Sequence, residues 1–133
     1  MPEAIRGLAR GAGEPVPEST AAVVRTALES VAAAIRRRIS ELDRLLGRRV
    51  GRVHVVGGGV NNRLLCQMIA DATGRPVVAG PVEATAIGNL LVQLTARNGV
   101  VDLRAIRQIV RESFEPETFA PRAAAAWDAR LGN

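Results

Sequence analysis

The sequence predicts a helix-rich α/β fold with two short parallel strands around a Gly-Gly-Gly turn. Three observations carry that reading. Apolar residues recur at helical spacing through Val24, Leu28, Val31, Ile35, Ile39, Leu42 and Leu46, at intervals of 4, 3, 4, 4, 3 and 4. A β-branched run, Arg52-Val53-His54-Val55-Val56, stops at Gly57-Gly58-Gly59 and gives way to a second helical pattern. A further short run, Pro76-Val77-Val78-Ala79, follows that helix. Strand, helix and strand in this order imply parallel strands joined by a right-handed crossover.

Each element has its own local signals. Residues 1–18 are rich in Gly and Pro, end in Glu14-Pro15-Val16-Pro17, and read as a lead-in loop. Ser19 or Thr20 caps the long helix, and Gly47 is its expected stop. From about 20 to 46, at 1.5 Å per residue, it is roughly 40 Å long and needs a substantial surface to lie on. The second helix presents Leu64, Leu65, Met68, Ile69 and Ala72, and Gly74 closes it. Gly80-Pro81 breaks the second strand. Helical pattern resumes from about Ala84 through Leu90, Leu91 and Leu94 to Asn98-Gly99, a C-cap signal. Asp102 caps a helix carrying Leu103, Ile106, Ile109 and Val110, and Pro121 opens a last alanine-rich helix with Trp127 and Leu131. Two short parallel strands do not make a covered sheet. Residues 19–133 therefore read as part of a domain whose other strands come from elsewhere.

Composition excludes several kinds of chemistry. The 133 residues suit a single domain, and with 47% hydrophobic but only 2% aromatic residues the core is built from Ala, Val, Leu and Ile. All 18 basic residues are Arg, so a P-loop lysine and a Schiff-base lysine are both absent. One cysteine, Cys66, precludes a disulfide within the chain and a cysteine zinc cluster, and His54 is the sole imidazole. No apolar run approaches the roughly 20 residues of a membrane span, and no signal-peptide core opens the chain, so the expectation is a cytoplasmic protein without a membrane partner. The net charge of +5 and pI near 11.3 raise nucleic-acid binding. Against it, Tyr is absent, Phe114, Phe119 and Trp127 lie far from the densest basic run, and Arg36-Arg37-Arg38 beside Glu41 and Asp43 reads as a solvated helix face.

Three glycines between a strand and a helix form a generic phosphate-handling element, because glycine admits close approach of an anion to the backbone and the next helix points N–H groups at it. Position 62 is Asn, so this is not the G-x-G-x-x-G dinucleotide fingerprint. The same residues read structurally make a tight strand-to-helix turn.

The wider context is more specific. Val53 through Asn62, then Leu64-Leu65-Cys66-Gln67 and Ala70-Asp71-Ala72-Thr73-Gly74-Arg75-Pro76-Val77, resembles the C-terminal part of the FGGY carbohydrate kinases. The continuation Ala79-Gly80-Pro81-Val82-Glu83-Ala84-Thr85-Ala86-Ile87-Gly88-Asn89 narrows the likeness to one branch of that family. Met1-Pro2-Glu3-Ala4-Ile5, Pro15-Val16-Pro17-Glu18 and Ser113-Phe114 fit it as well, so the resemblance covers essentially the whole chain.

The resemblance implies part of an actin-like (ribonuclease H-like) ATP-binding domain, with ATP as cofactor and Mg2+ bound mainly through ATP rather than by ligands of this chain. It places Gly57 and Gly58 at the family's paired glycines, with Gly58 as the foremost ATP contact. Gly59 falls in the same turn, and Asn62 falls where related kinases hold an asparagine near the adenine. Glu83, Thr85 and Asn89 match the second motif, read as packing against the pocket rather than touching ligand. The catalytic Asp and the sugar-binding domain are expected outside this segment, which on its own is expected to be inactive. Asp43, Asp71, Asp102 and Asp128 read instead as caps or solvated charges. Cys66 reads as a buried small hydrophobe, His54 as a packed or edge histidine, and Trp127 as the anchor of the last helix. The partners so implied are the missing N-terminal kinase portion, in cis or in trans, and through it the sugar. Self-association through an exposed sheet edge and nucleic-acid binding are the competing readings.

Overall fold

The computed structural model describes residues 1–97 and 102–132. The chain forms helix α1 (Pro2–Gly11), helix α2 (Thr20–Leu46), strand β1 (Val53–Val55), a 3-10 turn (Gly57–Asn61), helix α3 (Arg63–Thr73) and strand β2 (Val77–Ala79). Helix α4 (Ala84–Arg97), helix α5 (Leu103–Ser113), strand β3 (Glu117–Phe119) and helix α6 (Ala124–Leu131) follow. The sheet order is β1-β2-β3. β1 and β2 pair in parallel with Val53 opposite Val77, as expected, whereas β3 pairs antiparallel to β2 with Val77 opposite Phe119. The sheet is therefore mixed. Its third strand corrects the two-strand expectation: Glu117-Thr118-Phe119 has little strand character alone and is recruited by the free edge of β2.

The lead-in loop expected over 1–18 is also corrected. Pro2 occupies the first turn of α1, where its missing N–H costs nothing, and the helix packs on α2. Arg6 secures the following segment by donating to the carbonyls of Pro17 and Glu18. Helix α2 begins as expected, with Ser19 Oγ accepting the Ala22 N–H at 3.1 Å, and ends at Gly47 in the left-handed region. The face it buries differs from the expected stripe. Val23 and Ala32 are buried and Leu28 and Ile35 pack on the core, but Val24, Val31, Leu42 and Leu46 are exposed. Ala32 at the contact with α3 permits close approach, and that choice turns the outer flank of the stripe away from the core.

Helix α3 is the centre of the molecule. Cys66, Met68, Ile69, Ala70 and Ala72 are buried with Val77, Ala79 and Phe119 of the sheet, while Trp127 of α6 packs at the margin. Leu64, expected on the core face, is 52% exposed, while its neighbours Leu65 and Cys66 pack on the core. Polar residues bind this core to distant segments. Arg75, almost wholly buried, pairs with Asp43 and donates to the carbonyls of Val50 at 2.7 Å and Thr73 at 3.2 Å. Asp43 is thus neither a cap nor a solvated charge. Asp71 accepts from the N–H groups of Arg122 at 2.6 Å and Ala123 at 3.1 Å, fixing the approach to α6. Arg36, expected in a solvated run, instead donates to the Ala72 carbonyl and to Asp128. Asp102 caps α5 as expected, accepting the Arg104 N–H at 2.8 Å. The Asn98-Gly99 cap expected after α4 lies outside the described residues. Among those described, no helix is long and apolar enough to cross a membrane.

Candidate functional site

Two loops leave the sheet at one end. Because β1 and β2 are parallel, with Val55 opposite Ala79, the turn Gly57–Asn61 and the loop 80–83 both start at the carboxyl ends of their strands. That end is where open α/β sheets take their ligands. Two backbone hydrogen bonds clasp the loops together: the Gly80 N–H donates to the Val55 carbonyl at 2.8 Å, and the Gly57 N–H donates to the Pro81 carbonyl at 3.2 Å. Helix α3 begins immediately beyond the turn, so the positive end of its dipole faces this side.

The three glycines are not equivalent. Gly57 has φ +78°, a backbone conformation that a residue with Cβ resists. Gly59 has only an ordinary contact to make, its Cβ position lying 3.7 Å from Val55 Cγ1. Gly58 is in an unstrained conformation, and a Cβ built there meets nothing within 4 Å among the described residues beyond its own neighbours. Neither turn geometry nor internal packing requires glycine at position 58. Its effect is to leave exposed backbone uncovered at the head of α3. Gly80, by contrast, is held by packing, since its Cβ position lies 3.1 Å from Val56 Cγ1.

Asn62 has a definite local task. Its Oδ1 accepts the Leu65 N–H at 3.0 Å and its backbone carbonyl accepts the Cys66 N–H at 3.0 Å, so it is the N-cap of α3. Its amide nitrogen has no hydrogen-bond partner among the described residues. Cys66 is buried beneath the turn, with Sγ 3.8 Å from the Gly59 carbonyl and 4.0 Å from that of Val60. Burial, reinforced by the Glu117 carboxylate, pushes its thiol pKa up, which suits a packed neutral thiol.

Thus Gly57, Gly58 and Gly59 lie in the turn, and Asn62 follows it directly as the N-cap of α3. The second motif contributes differently from expectation. Glu83, Thr85 and Asn89 are exposed, and the packing against the first loop is done by Gly80 and the backbone of Pro81. Sequence reasoning read Gly80-Pro81 as a strand break and as part of the second motif, not as a packing contact with the first loop, and missed Arg63 and Glu117 altogether. Arg63, the first residue of α3, forms a two-pronged pair with Glu117, Nη1 to Oε2 at 2.6 Å and Nη2 to Oε1 at 2.5 Å. The two residues are 54 positions apart, and no local signal connects them. A concavity of about 1230 Å³ lies elsewhere. It runs between α1, the Pro15–Pro17 segment, α2 and α6, and contains none of the glycine-turn residues.

Fold and turn together define a class of protein. The chain superposes on the crystal structure of xylulose kinase from Rhodospirillum rubrum with a TM-score of 0.67 and 27% identity, over 90% of this chain and 24% of that one. Its fold is therefore of the actin/ribonuclease H-like kind found in sugar kinases. Residues 1–97 match the FGGY family of carbohydrate kinases, C-terminal domain, and the chain belongs to that family. It is 43% identical over 129 residues to rhamnulokinase of Bacteroides thetaiotaomicron, covering 97% of this chain and 27% of the relative. It is 40% identical over 121 residues to rhamnulokinase of Klebsiella pneumoniae, covering 91% and 25%. The chain thus spans about a quarter of the length of the curated relatives it matches.

Proposed function

We infer that this chain is the ATP-binding C-terminal portion of a rhamnulokinase, an enzyme that moves the terminal phosphoryl group of ATP to L-rhamnulose to give L-rhamnulose 1-phosphate. Several relatives at 37–44% identity carry the name rhamnulokinase, which supports the choice of sugar. The observation that carries the nucleotide reading is Gly58: an exposed, unstrained glycine at the carboxyl end of parallel strands, with no described residue packed over it.

In this reading the bared backbone of Gly57 and Gly58 receives phosphate, with Gly59 continuing the turn. The head of α3 supplies the favourable dipole. Asn62 orients the helix through its Oδ1 and offers its amide nitrogen to the adenine. ATP supplies the phosphoryl group and carries the Mg2+ that neutralises it. The base that accepts the sugar hydroxyl proton, and the sugar site itself, belong to the remaining portion of the kinase, so the chain by itself has no turnover. The exposed Leu90, Val92 and Leu94 of α4, with the open edge of β1, provide apolar and hydrogen-bonding surface for that portion to pack on, in cis or in trans.

The test is to fuse or mix this chain with the N-terminal three quarters of the Bacteroides thetaiotaomicron relative and follow ADP release. ATP-dependent phosphorylation of L-rhamnulose is expected from the combination and none from either part. A soluble, folded combination that phosphorylates no ketose would falsify the assignment.

A further inference from the structure

The cluster formed by Arg63, Glu117 and Phe119 stands beside the glycine turn and has no part in the function derived so far. Its placement follows from the topology. Arg63 follows Asn62 directly, and Glu117 lies opposite Ala79, so both reach the carboxyl end of the sheet where the two loops emerge. Both charges also act on the Cys66 thiol, which sits under the Gly59 and Val60 carbonyls. The cluster is therefore a neighbour of the turn.

Its geometry is unusual for a surface ion pair. Two guanidinium nitrogens are taken by the two oxygens of one carboxylate, an arrangement that fixes the plane of the group as well as its position. The Arg63 guanidinium carbon lies 5.6 Å from the centroid of the Phe119 ring, and that ring is buried. The guanidinium thus stands over a buried aromatic ring. The side chain nevertheless remains 71% exposed, so much of the guanidinium is open to a ligand. A flat cation clamped at its edge, standing over an aromatic ring and largely exposed, suits an aromatic heterocycle.

We propose that Arg63 is a base-binding residue of the nucleotide site, whose exposed guanidinium stacks on the nucleobase while Glu117 and Phe119 hold it in plane. The inference rests on the nucleotide reading of the glycine turn and extends it. Glu117 is then a positioning residue that acts through Arg63. The pairing also cancels a carboxylate charge that would otherwise repel a triphosphate at this end of the sheet. Stacking of this kind follows the area of the base rather than its hydrogen-bonding edge. ATP and GTP should therefore use Arg63 alike, and UTP less.

The test uses saturation-transfer NMR on the full chain with millimolar ATP, a method that reads weak binding and maps which ligand protons touch the protein. In the wild type the purine protons are expected to saturate at least as strongly as the ribose protons. Arg63→Ala should lower ATP affinity about five-fold, the equivalent of one exposed cation–π contact. It should also reduce the purine signals relative to ribose. Arg63→Lys, which keeps the charge and loses the plane, should show the same selective loss and covers the case in which Arg63→Ala destabilises the fold. Glu117→Gln should lose part of the purine signal. Purine signals unchanged in both Arg63 variants, or purine and ribose signals falling together, would overturn the base-stacking role. Absence of any saturation with wild-type protein would overturn the nucleotide reading itself, and this inference with it.

Discussion

Gly57 and Gly58 are adjacent and chemically identical, yet the structure assigns opposite consequences to adding one methyl group at each. Gly57 sits at φ +78°, so Gly57→Ala carries the left-handed backbone penalty of about 1–2 kcal/mol. For a chain of this size that corresponds to a fall in melting temperature of roughly 3–8 °C. Gly58 has no such strain and its methyl group would meet nothing within 4 Å. Gly58→Ala should leave stability unchanged, or raise it by up to about 0.5 kcal/mol by restricting the unfolded chain. In the proposed site the same methyl group stands where phosphate meets backbone. Displacing an anion from one charge-assisted hydrogen bond costs about 1.5–3 kcal/mol, or roughly 10- to 150-fold in ATP affinity. Thermal melts by circular dichroism and ATP titration of both variants measure the two quantities independently. Gly58→Ala with wild-type stability and wild-type ATP affinity would refute the contact. Gly58→Ala destabilised by more than about 1 kcal/mol would refute the open environment from which the reasoning starts.

Three further outcomes follow from the core beneath the turn. Asp43→Ala leaves the buried Arg75 guanidinium without its carboxylate and the Val50 N–H without its acceptor, so urea unfolding should show a loss of about 2–3 kcal/mol, reduced from the fully buried case because Asp43 is partly exposed. Asp43→Asn, which retains the Oδ1 acceptor, should lose less. Asn62→Ala removes the cap of α3 and should cost about 1 kcal/mol in the same assay, while Asn62→Ser keeps a neutral side-chain cap; if Asn62→Ser nevertheless weakens ATP, the amide nitrogen touches the base, and if it does not, Asn62 acts through the helix alone. For Cys66 the folded thiol pKa lies above the ordinary value of about 8.5, so the protonated thiol stabilises the fold fully below that value. That contribution is lost as pH rises through the window between the ordinary and the raised pKa. The wild-type unfolding midpoint should fall there more steeply than that of Cys66→Ser, and equal slopes would contradict the burial-driven shift.

What could be read from the sequence was whatever has a local cause. Ser19 and Gly47 bracket α2 because capping is decided within a few residues, and β1, α3 and β2 emerge from the alternation of β-branched runs, glycines and helical spacing. The glycine turn was visible for the same reason. The remainder depends on partners remote in sequence. β3 exists because β2 has an edge to share, and α1 because α2 offers it a surface. The face of α2 differs from the expected stripe because the fully buried Ala32, not the larger and exposed Val24 and Val31, lies in the core with α3. Arg36 reads as part of a solvated face, and Asp43 and Asp71 as caps or solvated charges, since their neighbours, Ala72 and Asp128, Arg75, and Arg122 and Ala123, are declared only by the fold. The Arg63–Glu117 pair belongs to the same class of invisible feature.

The hold of Asp71 on Arg122 and Ala123 bears on where this polypeptide can be divided. The stretch recognised by the family match ends at residue 97, which invites a cut there. Yet Phe119 lies in the same core as Ile69 and Val77, Gln67 donates to the Ala120 carbonyl, and Trp127 closes the margin. A product ending at residue 97 would keep the glycine turn intact in sequence while stripping α3 of an outer wall and leaving the Asp71 carboxylate facing water. The family match and the packed core of this chain therefore end at different residues. Any dissection meant to isolate the turn has to carry the last helix with it.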